Sequence, residues 1–311
     1  MYFLFHNIID NKMARLRRLK VIGEDAYYHV ISRTVGQEFL LGKKEKNKFV
    51  EMIEKLSKLF LVKIIGYSIM SNHFHLLIKI ESSENFDDDN IRNRLKKHYG
   101  KNYILNNINI SDNREKLSDL SVFMKTLKQS FSLWYNKKNN RKGHFWSERF
   151  KSVLIENGEG LLNCLAYIDL NSLRAKIVDI PENYKWSSIG YRINHKKSDF
   201  LSFEGVFANN NSRNIKEYLE YIYFKGDISP NESTVEYKRK FAGAFPESPG
   251  VYNSRHPVFI ESGVLGSKQF VLDAYLKFGS TIFIKKGRDI FQTDFSDKIF
   301  SVRRKYEYKT H

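Results

Sequence analysis

The chain has 311 residues, and its 52 Lys and Arg against 35 Asp and Glu give a formal charge of +17. This excess favours a polyanionic partner, most often nucleic acid, although a general enrichment in Lys and Asn is the compositional alternative. No uninterrupted apolar span of about 18 residues and no basic amphipathic anchor helix occur, so no membrane partner is expected. The single cysteine, Cys164, excludes an intrachain disulfide and indicates a reducing cytoplasm.

The first third of the chain predicts the element order β, α, β, β. The apolar start MYFLFHNII has neither a basic leader nor a small-residue cleavage site, so it is not expected to be a signal peptide. Met13 offers a second start, so residues 1–12 are expected to be an N-terminal extension. The stretch AYYHVISRT alternates as a strand does, with His29, Ile31 and Arg33 on one face. Apolar residues recur at three and four between Lys44 and Leu59, which predicts a helix, and KIIGYSIM and LLIKI then predict two strands.

Two histidines lie between those strands in SNHFHLLI, residues 71–78. Side chains two apart in a strand share a face, so His73 and His75 project together while Phe74 packs on the other side. Neutral imidazole is the commonest metal ligand, and a strand holds two of them in fixed geometry. The alternative is a pair of half-buried, hydrogen-bonded histidines, which a short H-x-H pattern does not exclude.

The middle of the chain completes a fold prediction. Residues 82–117 are polar and rich in Asn and Asp, as in an inserted loop or lid, with a short helix at IRNRLKKHYG. A strong helical pattern runs from about Leu117 to Lys137, and GHFWSERFKSVLIE reads as a turn and a strand. The order βαββα with a further strand predicts an α+β protein, a ferredoxin-like α/β plait with an antiparallel sheet and helices on one face.

Basic residues are dense around the second helix and the strand after it. Aromatic residues lie among them, and this mixture suits unpaired nucleic acid, because cations neutralise phosphates and exposed rings stack on bases. A helix with a solvated basic face and aromatic residues in the core is an equally good interpretation. The candidate nucleic-acid-binding residues are Lys125, Lys128, Arg141, Lys142, Arg149 and Lys151.

The next helix begins near Gly158 and carries LLNCLAYIDLNSLRA. Tyr167 and Asn171 lie four residues apart on its polar side and are therefore neighbours. On their own, such a pair more often marks a helix boundary than a catalytic site. Asp169 falls within the apolar arc of this helix, and the sequence offers no physical reason for it.

Four segments, SIMSNHFHLLI, GHFWSERFKSVLIE, YIDLNSLRA and PENYKWSSIGYR, together resemble the Y1 transposases, and more closely the REP-associated tyrosine transposases of the IS200/IS605 group. The resemblance covers about Met13 to Arg192 and implies a transposase domain at 13–195 with the palm of the HUH single-strand nucleases. It implies metal ligation by His73, His75 and Asn171.

The resemblance also implies that Tyr167 is the nucleophile. Tyr135 is the competing tyrosine, since it also lies in a family-like segment. Tyr167 is preferred because it stands in the YIDLN context, with Asn171 four residues further on. Ser71 and Ser172 stand where the family usually has proline, which removes local stiffening but no functional group.

The activity implied is metal-dependent nicking and rejoining of single-stranded hairpin DNA through a 5′-phosphotyrosine. Mg²⁺ or Mn²⁺ is expected, although imidazole ligands also suit Zn²⁺. No nucleotide cofactor is expected, because no G-x-x-x-x-G-K loop occurs. The expected location is cytoplasmic and nucleoid-associated, and both a monomer and a homodimer remain open.

Two other functions remain open at this point. One is an HUH replication initiator or relaxase-like nickase. The other is a domesticated protein that binds hairpin DNA without cutting it. Residues 196–311 form a C-terminal extension, expected to be mainly helical, which serves as an accessory DNA-binding unit or as a helical cap on the palm.

Overall fold

The computed structural model describes residues 18–100, 110–195, 199–207, 213–228, 250–282 and 288–304. The predicted extension at 1–12 lies outside them. The described strands are β1 (Ala26–Arg33), β2 (Val62–Ile69), β3 (His73–Ile80), β4 (Lys151–Ile155), β5 (Val264–Gly266), β6 (Arg288–Thr293) and β7 (Ser296–Arg304). The described helices are α1 (Lys43–Ser57), α2 (Asp88–Tyr99), α3 (Ile110–Leu117), α4 (Leu120–Lys138), α5 (Glu159–Asp169), α6 (Asn171–Arg174), α7 (Ser188–Asn194), α8 (Arg213–Gly226), α9 (Val258–Glu261) and α10 (Lys268–Ile282).

The first four strands form the predicted plait. They lie in the order β2-β3-β1-β4, each antiparallel to its neighbour, with α1 joining β1 to β2 and α4 preceding β4. This is the strand order of a ferredoxin-like fold, so the predicted α+β class is confirmed. The register pairs Ile31 with His75 and Arg33 with His73. Directly opposed residues share a face of the sheet, so β1 contributes side chains beside both histidines.

Two hydrophobic cores lie on opposite faces of this sheet. One contains Phe49 of α1 and Phe131 of α4 together with Phe74. The other contains Leu165 of α5 together with Ile31. The sequence predicted helices on one face of the sheet only, whereas α5 also covers the other face. The histidine pair lies on the face that α5 covers.

Close packing of α5 on the sheet depends on Gly66 in β2. The pairing of β2 with β3 shifts register between Ile64 and Gly66, which marks a bulge. A Cβ at Gly66 would collide with the side chain of Leu165 and approach the hydroxyl of Ser188. Only a residue without a side chain lets α5 approach the sheet this closely at that point.

The segment predicted as an inserted loop or lid is helical where it is described. Helices α2 and α3 bury Ile91, Leu95, Ile110 and Leu117 in the core that contains Phe49. The helix predicted at IRNRLKKHYG corresponds to α2, while residues 101–109 lie outside the described ranges. The domain boundaries at 82–117 and 195 remain predictions.

The C-terminal part extends the same sheet. The helices predicted at NIKEYLEYIYF and SKQFVLDAYLKF correspond to α8 and α10. Strand β5 pairs with β4 in parallel, Leu154 opposite Val264, and β7 and β6 follow in antiparallel pairing. The sequence did not predict these three strands. Across the described ranges, no helix has the length and apolar content that crossing a membrane requires.

Candidate active site

The two histidines of β3 stand on the face covered by α5, as the alternation predicted. Their ring centroids lie 5.2 Å apart. Phe74 between them points to the opposite face, where its ring centroid lies 4.8 Å from that of Phe49 and 5.3 Å from that of Trp146. The apolar anchorage of Phe74 therefore fixes the strand that presents both imidazoles.

Both ring nitrogens of His73 face side-chain amides. Its Nδ1 lies 2.7 Å from the side-chain oxygen of Asn72, and its Nε2 lies 3.4 Å from Nδ2 of Asn171. Burial lowers the pKa of His73 to about 4, and the charges of Arg33, Arg255 and Arg174 add to this. The ring is therefore neutral at pH 7, which is the form that binds metals.

His75 contacts a third histidine that was not among the predicted site residues. Its Nδ1 lies 2.9 Å from Nε2 of His29, and Nδ1 of His29 lies 2.8 Å from the backbone oxygen of Phe259. His29 is fully buried and His75 nearly so. Burial lowers the pKa of His75 well below its ordinary value, and the neighbouring His29 adds to the effect.

Tyr167 lies on α5, opposite the histidine pair. Its ring meets that of His75 edge-on, with centroids 6.2 Å apart and planes at 84°. The residue is only 2% exposed and stacks on Phe259, with centroids 4.5 Å apart. Burial raises the pKa of Tyr167, while the positive charges of Arg174 and Arg255 oppose this rise.

Helix α6 continues from α5 and brings Asn171 and Arg174 to the same place. Arg174 donates to the backbone oxygen of Tyr167 at 2.6 Å and to Oδ1 of Asn171 at 3.3 Å. Its guanidinium carbon lies 4.0 Å from the centroid of the Tyr167 ring. The i+4 spacing of Tyr167 and Asn171 thus places both beside His73 and His75, with an arginine between them.

The buried Asp169 has a structural explanation that the sequence did not give. Its carboxylate accepts from the hydroxyl of Ser188 at 2.6 Å, the amide of Ile189 at 3.0 Å and the hydroxyl of Tyr218 at 2.7 Å. These donors lie on α7 and α8. Asp169 therefore ties the end of α5, where Tyr167 and Asn171 meet, to two later helices.

The competing tyrosine, Tyr135, lies away from the histidines. It belongs to α4, on the face of the sheet that also carries Phe74. Its ring packs against Phe131 and Phe145, with centroid distances of 6.4 and 4.6 Å. Of the two candidate tyrosines, only Tyr167 is brought beside the histidine pair.

Between Lys125 and Lys151, most of the candidate basic side chains are exposed, whereas several of the aromatic rings among them are buried. Lys125, Lys142, Arg149 and Lys151 are exposed, and Arg141 is half-buried. Lys128 is half-buried and donates to the backbone oxygen of Glu148 at 2.8 Å. Phe131, Phe145 and Phe150 are buried in the core, so these three rings are not available to stack on bases.

The donors around the histidine pair fit a divalent cation. Both imidazoles use Nδ1 in contacts with protein groups, which leaves Nε2 of each for a metal. Within the described ranges, no group of three or more His, Cys, Asp or Glu side chains could hold a metal ion. The amide of Asn171 lies beside the pair, 3.4 Å from Nε2 of His73. The side-chain nitrogen of Asn171 now faces His73, and cation binding requires its oxygen there instead.

Comparisons with known proteins give one family and two weak structural likenesses. Residues 23–115 match the family model described as IS200-like transposase. A REP-associated tyrosine transposase solved with a bound REP hairpin is 14% identical, with a TM-score of 0.42, over 64% of this chain and all of that one. A protein from Deinococcus radiodurans R1 assigned as a transposase is 12% identical, with a TM-score of 0.27, over 54% of this chain and 98% of that one.

No curated protein sequence matches the chain at a significant level. The matched segment contains His73 and His75 and ends before α5, so the placement of Tyr167 and Asn171 comes from the structure alone. The resemblance predicted from the sequence is thereby confirmed: the protein is similar to the IS200-like transposases over residues 23–115, the segment that holds the histidine pair.

Proposed function

We propose that the protein is a Y1 transposase that nicks and rejoins single-stranded hairpin DNA through a covalent bond to Tyr167. The observation that carries this proposal is the edge-on approach of Tyr167 to His75 across the space between α5 and β3. A tyrosine, two neutral imidazoles and an amide in one place form a nucleophile facing a set of metal-ligand side chains.

The covalent step follows from phosphodiester chemistry. The phenolic oxygen of Tyr167 attacks phosphorus and forms a new O–P bond, phosphorus keeps its bond to the 5′ oxygen, and the bond from phosphorus to the 3′ oxygen breaks. The phenol loses its proton and the departing oxygen gains one to become a 3′-OH. Because the phosphodiester is kept as a phosphotyrosine, the 3′-OH of another strand can reverse the step and join DNA.

The surrounding residues suit an anionic substrate. Arg33, Arg174 and Arg255 act electrostatically on His73, and each carries a positive charge that favours a bound phosphate. A phenol is a weak nucleophile at neutral pH, and burial makes Tyr167 weaker still. Positive charge from Arg174 and Arg255 lowers the cost of forming the phenolate and the transition state.

We infer that His73, His75 and Asn171 hold Mg²⁺ or Mn²⁺. When bound, such a cation would act as a Lewis acid on the scissile phosphate. His73 and His75 contribute neutral Nε2 donors, and Asn171 contributes its amide oxygen once it turns from Arg174 toward His73. That turn ends the 3.3 Å contact between Asn171 and Arg174 and leaves the guanidinium available to phosphate.

The test is covalent capture of DNA. Labelled single-stranded hairpins from the repeats flanking the gene are incubated with the protein and Mn²⁺ or EDTA, then resolved by denaturing electrophoresis. We expect a metal-dependent protein–DNA adduct that Tyr167→Phe abolishes, because that variant keeps the stacked ring and loses only the oxygen.

Tyr135→Phe is the matched control, since it makes the same change in the second candidate tyrosine and should leave the adduct intact. Loss of the adduct in Tyr135→Phe but not in Tyr167→Phe would identify Tyr135 as the nucleophile. Hairpin binding without adduct or cleavage, with any divalent metal, would favour a protein that binds hairpins without cutting them.

A further inference from the structure

His29 stands beside the proposed metal ligands without being one of them. It lies on β1, two residues before Ile31, which is paired directly with His75. Its side chain is completely buried, and both of its ring nitrogens have protein partners. The His29 and His75 ring planes are inclined by 20°, with the ring centroids 5.1 Å apart and the two facing nitrogens 2.9 Å apart.

The partners of His29 determine where its proton lies. A backbone oxygen can only accept, so Nδ1 of His29 must carry the hydrogen that reaches Phe259 at 2.8 Å. His29 is fully shielded from water, so a second proton would make it a buried cation, which is unfavourable. Nε2 of His29 is therefore an acceptor.

The same reasoning then determines the tautomer of His75. Since Nε2 of His29 accepts, Nδ1 of His75 must be the donor across the 2.9 Å contact. A neutral imidazole with its hydrogen on Nδ1 has its lone pair on Nε2, and this is the nitrogen left for a metal. Partners of this kind orient ligating histidines in metal sites.

We propose that His29 is a positioning residue: by accepting from His75 and donating to the carbonyl of Phe259, it fixes the tautomer in which His75 presents Nε2 to a divalent cation. The two hydrogen bonds connect the carbonyl of Phe259 on α9, through His29 on β1, to His75 on β3. The role of His29 rests on the proposed function in one respect, namely that His75 is a metal ligand.

The first experiment reads the tautomer directly. Nitrogen-15 NMR of the metal-free wild-type protein, labelled at histidine, distinguishes a hydrogen on Nδ1 from one on Nε2. We expect His75 to carry it on Nδ1. A hydrogen on Nε2 of His75 would overturn the proposal whatever the protein does to DNA.

The second experiment measures the dissociation constant for Mn²⁺ by titration, followed by electron paramagnetic resonance of the free ion. His29→Phe removes both hydrogen bonds while keeping a buried ring, and we expect affinity to fall about 10- to 100-fold. His29→Gln keeps an acceptor for His75 and a donor for Phe259, so it should restore most of the affinity.

His256→Phe is the matched control, because His256 is also buried and also contacts a backbone oxygen, that of Val251 at 2.6 Å. It should bind Mn²⁺ like the wild type. A folded His29→Phe protein with unchanged Mn²⁺ affinity would overturn the proposal. If that variant does not fold, the wild-type tautomer and the affinity of His29→Gln decide.

These readouts separate the inference from the proposed function. A wild-type protein that binds no Mn²⁺ would contradict the metal site. A wild-type protein that binds Mn²⁺ but forms no adduct with DNA would contradict the nicking reaction and leave the tautomer result standing.

Discussion

The ring of Tyr167 stacks on the ring of Phe259, with centroids 4.5 Å apart and planes inclined by 23°. Phe259 in turn stacks on Phe295, with centroids 4.9 Å apart. The proposed nucleophile is thus the first of three layered rings, and the other two come from the C-terminal part of the chain. The position of Tyr167 depends on residues more than 90 positions further along the sequence.

Phe259→Ala should destabilise the protein by about 3 to 5 kcal/mol, because a fully buried aromatic ring between two others leaves a cavity when it is removed. Urea unfolding measures the change. Phe39→Ala is the control: Phe39 is 80% exposed, so its removal should change the free energy of unfolding by less than about 0.5 kcal/mol. Equal effects of the two substitutions would contradict the layered arrangement.

Asp169 should make stability depend on pH in a defined direction. Burial raises the pKa of Asp169 from its ordinary value of 3.8 to about 6, so the folded state favours the protonated acid. Its stabilising contribution is fully present below about pH 4 and is lost as pH rises through 6, a change of about 3 kcal/mol in all.

The measurement compares urea unfolding of the wild type and Asp169→Asn between pH 4 and 7. Asparagine keeps an acceptor for Ser188 and Ile189 but does not titrate, so the wild type should lose stability relative to the variant as pH rises. A difference that stays constant, or that grows in the opposite direction, would show that the three donors keep Asp169 ionised.

Asn171 should be replaceable by aspartate but not by leucine. Asn171→Asp keeps an oxygen at the proposed ligand position and adds negative charge, so Mn²⁺ affinity should be maintained or increased. Asn171→Leu removes the oxygen at similar volume and should weaken binding by more than the 10- to 100-fold typical of groups outside the ligand set. Calorimetric titration with Mn²⁺ measures both. Asn194→Leu on α7 is the control and should bind Mn²⁺ like the wild type. Unchanged Mn²⁺ affinity in Asn171→Leu would show that the Asn171 amide is not a metal ligand.

The exposed cations should determine how DNA binding responds to salt. Replacing Lys125, Lys142, Arg149 and Lys151 by alanine should reduce the slope of log affinity against log salt by about 3, since each phosphate contact with a single strand contributes about 0.7. Fluorescence anisotropy with a labelled hairpin measures the slope. The control replaces four other exposed lysines, namely Lys55, Lys96, Lys97 and Lys176. If both proteins showed the same reduction in salt dependence, the net charge of the protein, and not these four positions, would determine DNA binding.

The sequence predicted the parts of the site that obey local periodicity. The alternation of a strand placed His73 and His75 on one face and Phe74 on the other, and the helical repeat placed Asn171 beside Tyr167. The order of elements predicted the plait, because βαββαβ connections allow few arrangements of four antiparallel strands. Each of these inferences uses contacts between near neighbours in sequence.

The contacts that sequence reasoning missed join distant segments. Although His29 was placed on one face of β1, its contact with His75 depends on the register between β1 and β3, which no local pattern reveals. The partners of Asp169 lie on α7 and α8 and could not be paired with it in advance. The aromatic residues of the basic segment have the same spacing whether they face bases or a core, so the sequence left both interpretations open.

Strand β5 covers the outer edge of β4 by pairing with it in parallel. Without β5, the outer edge of β4 would leave the amides of Leu154 and Glu156 unpaired, and another copy could add a strand there. A shortened protein that ends near residue 195 is therefore expected to aggregate.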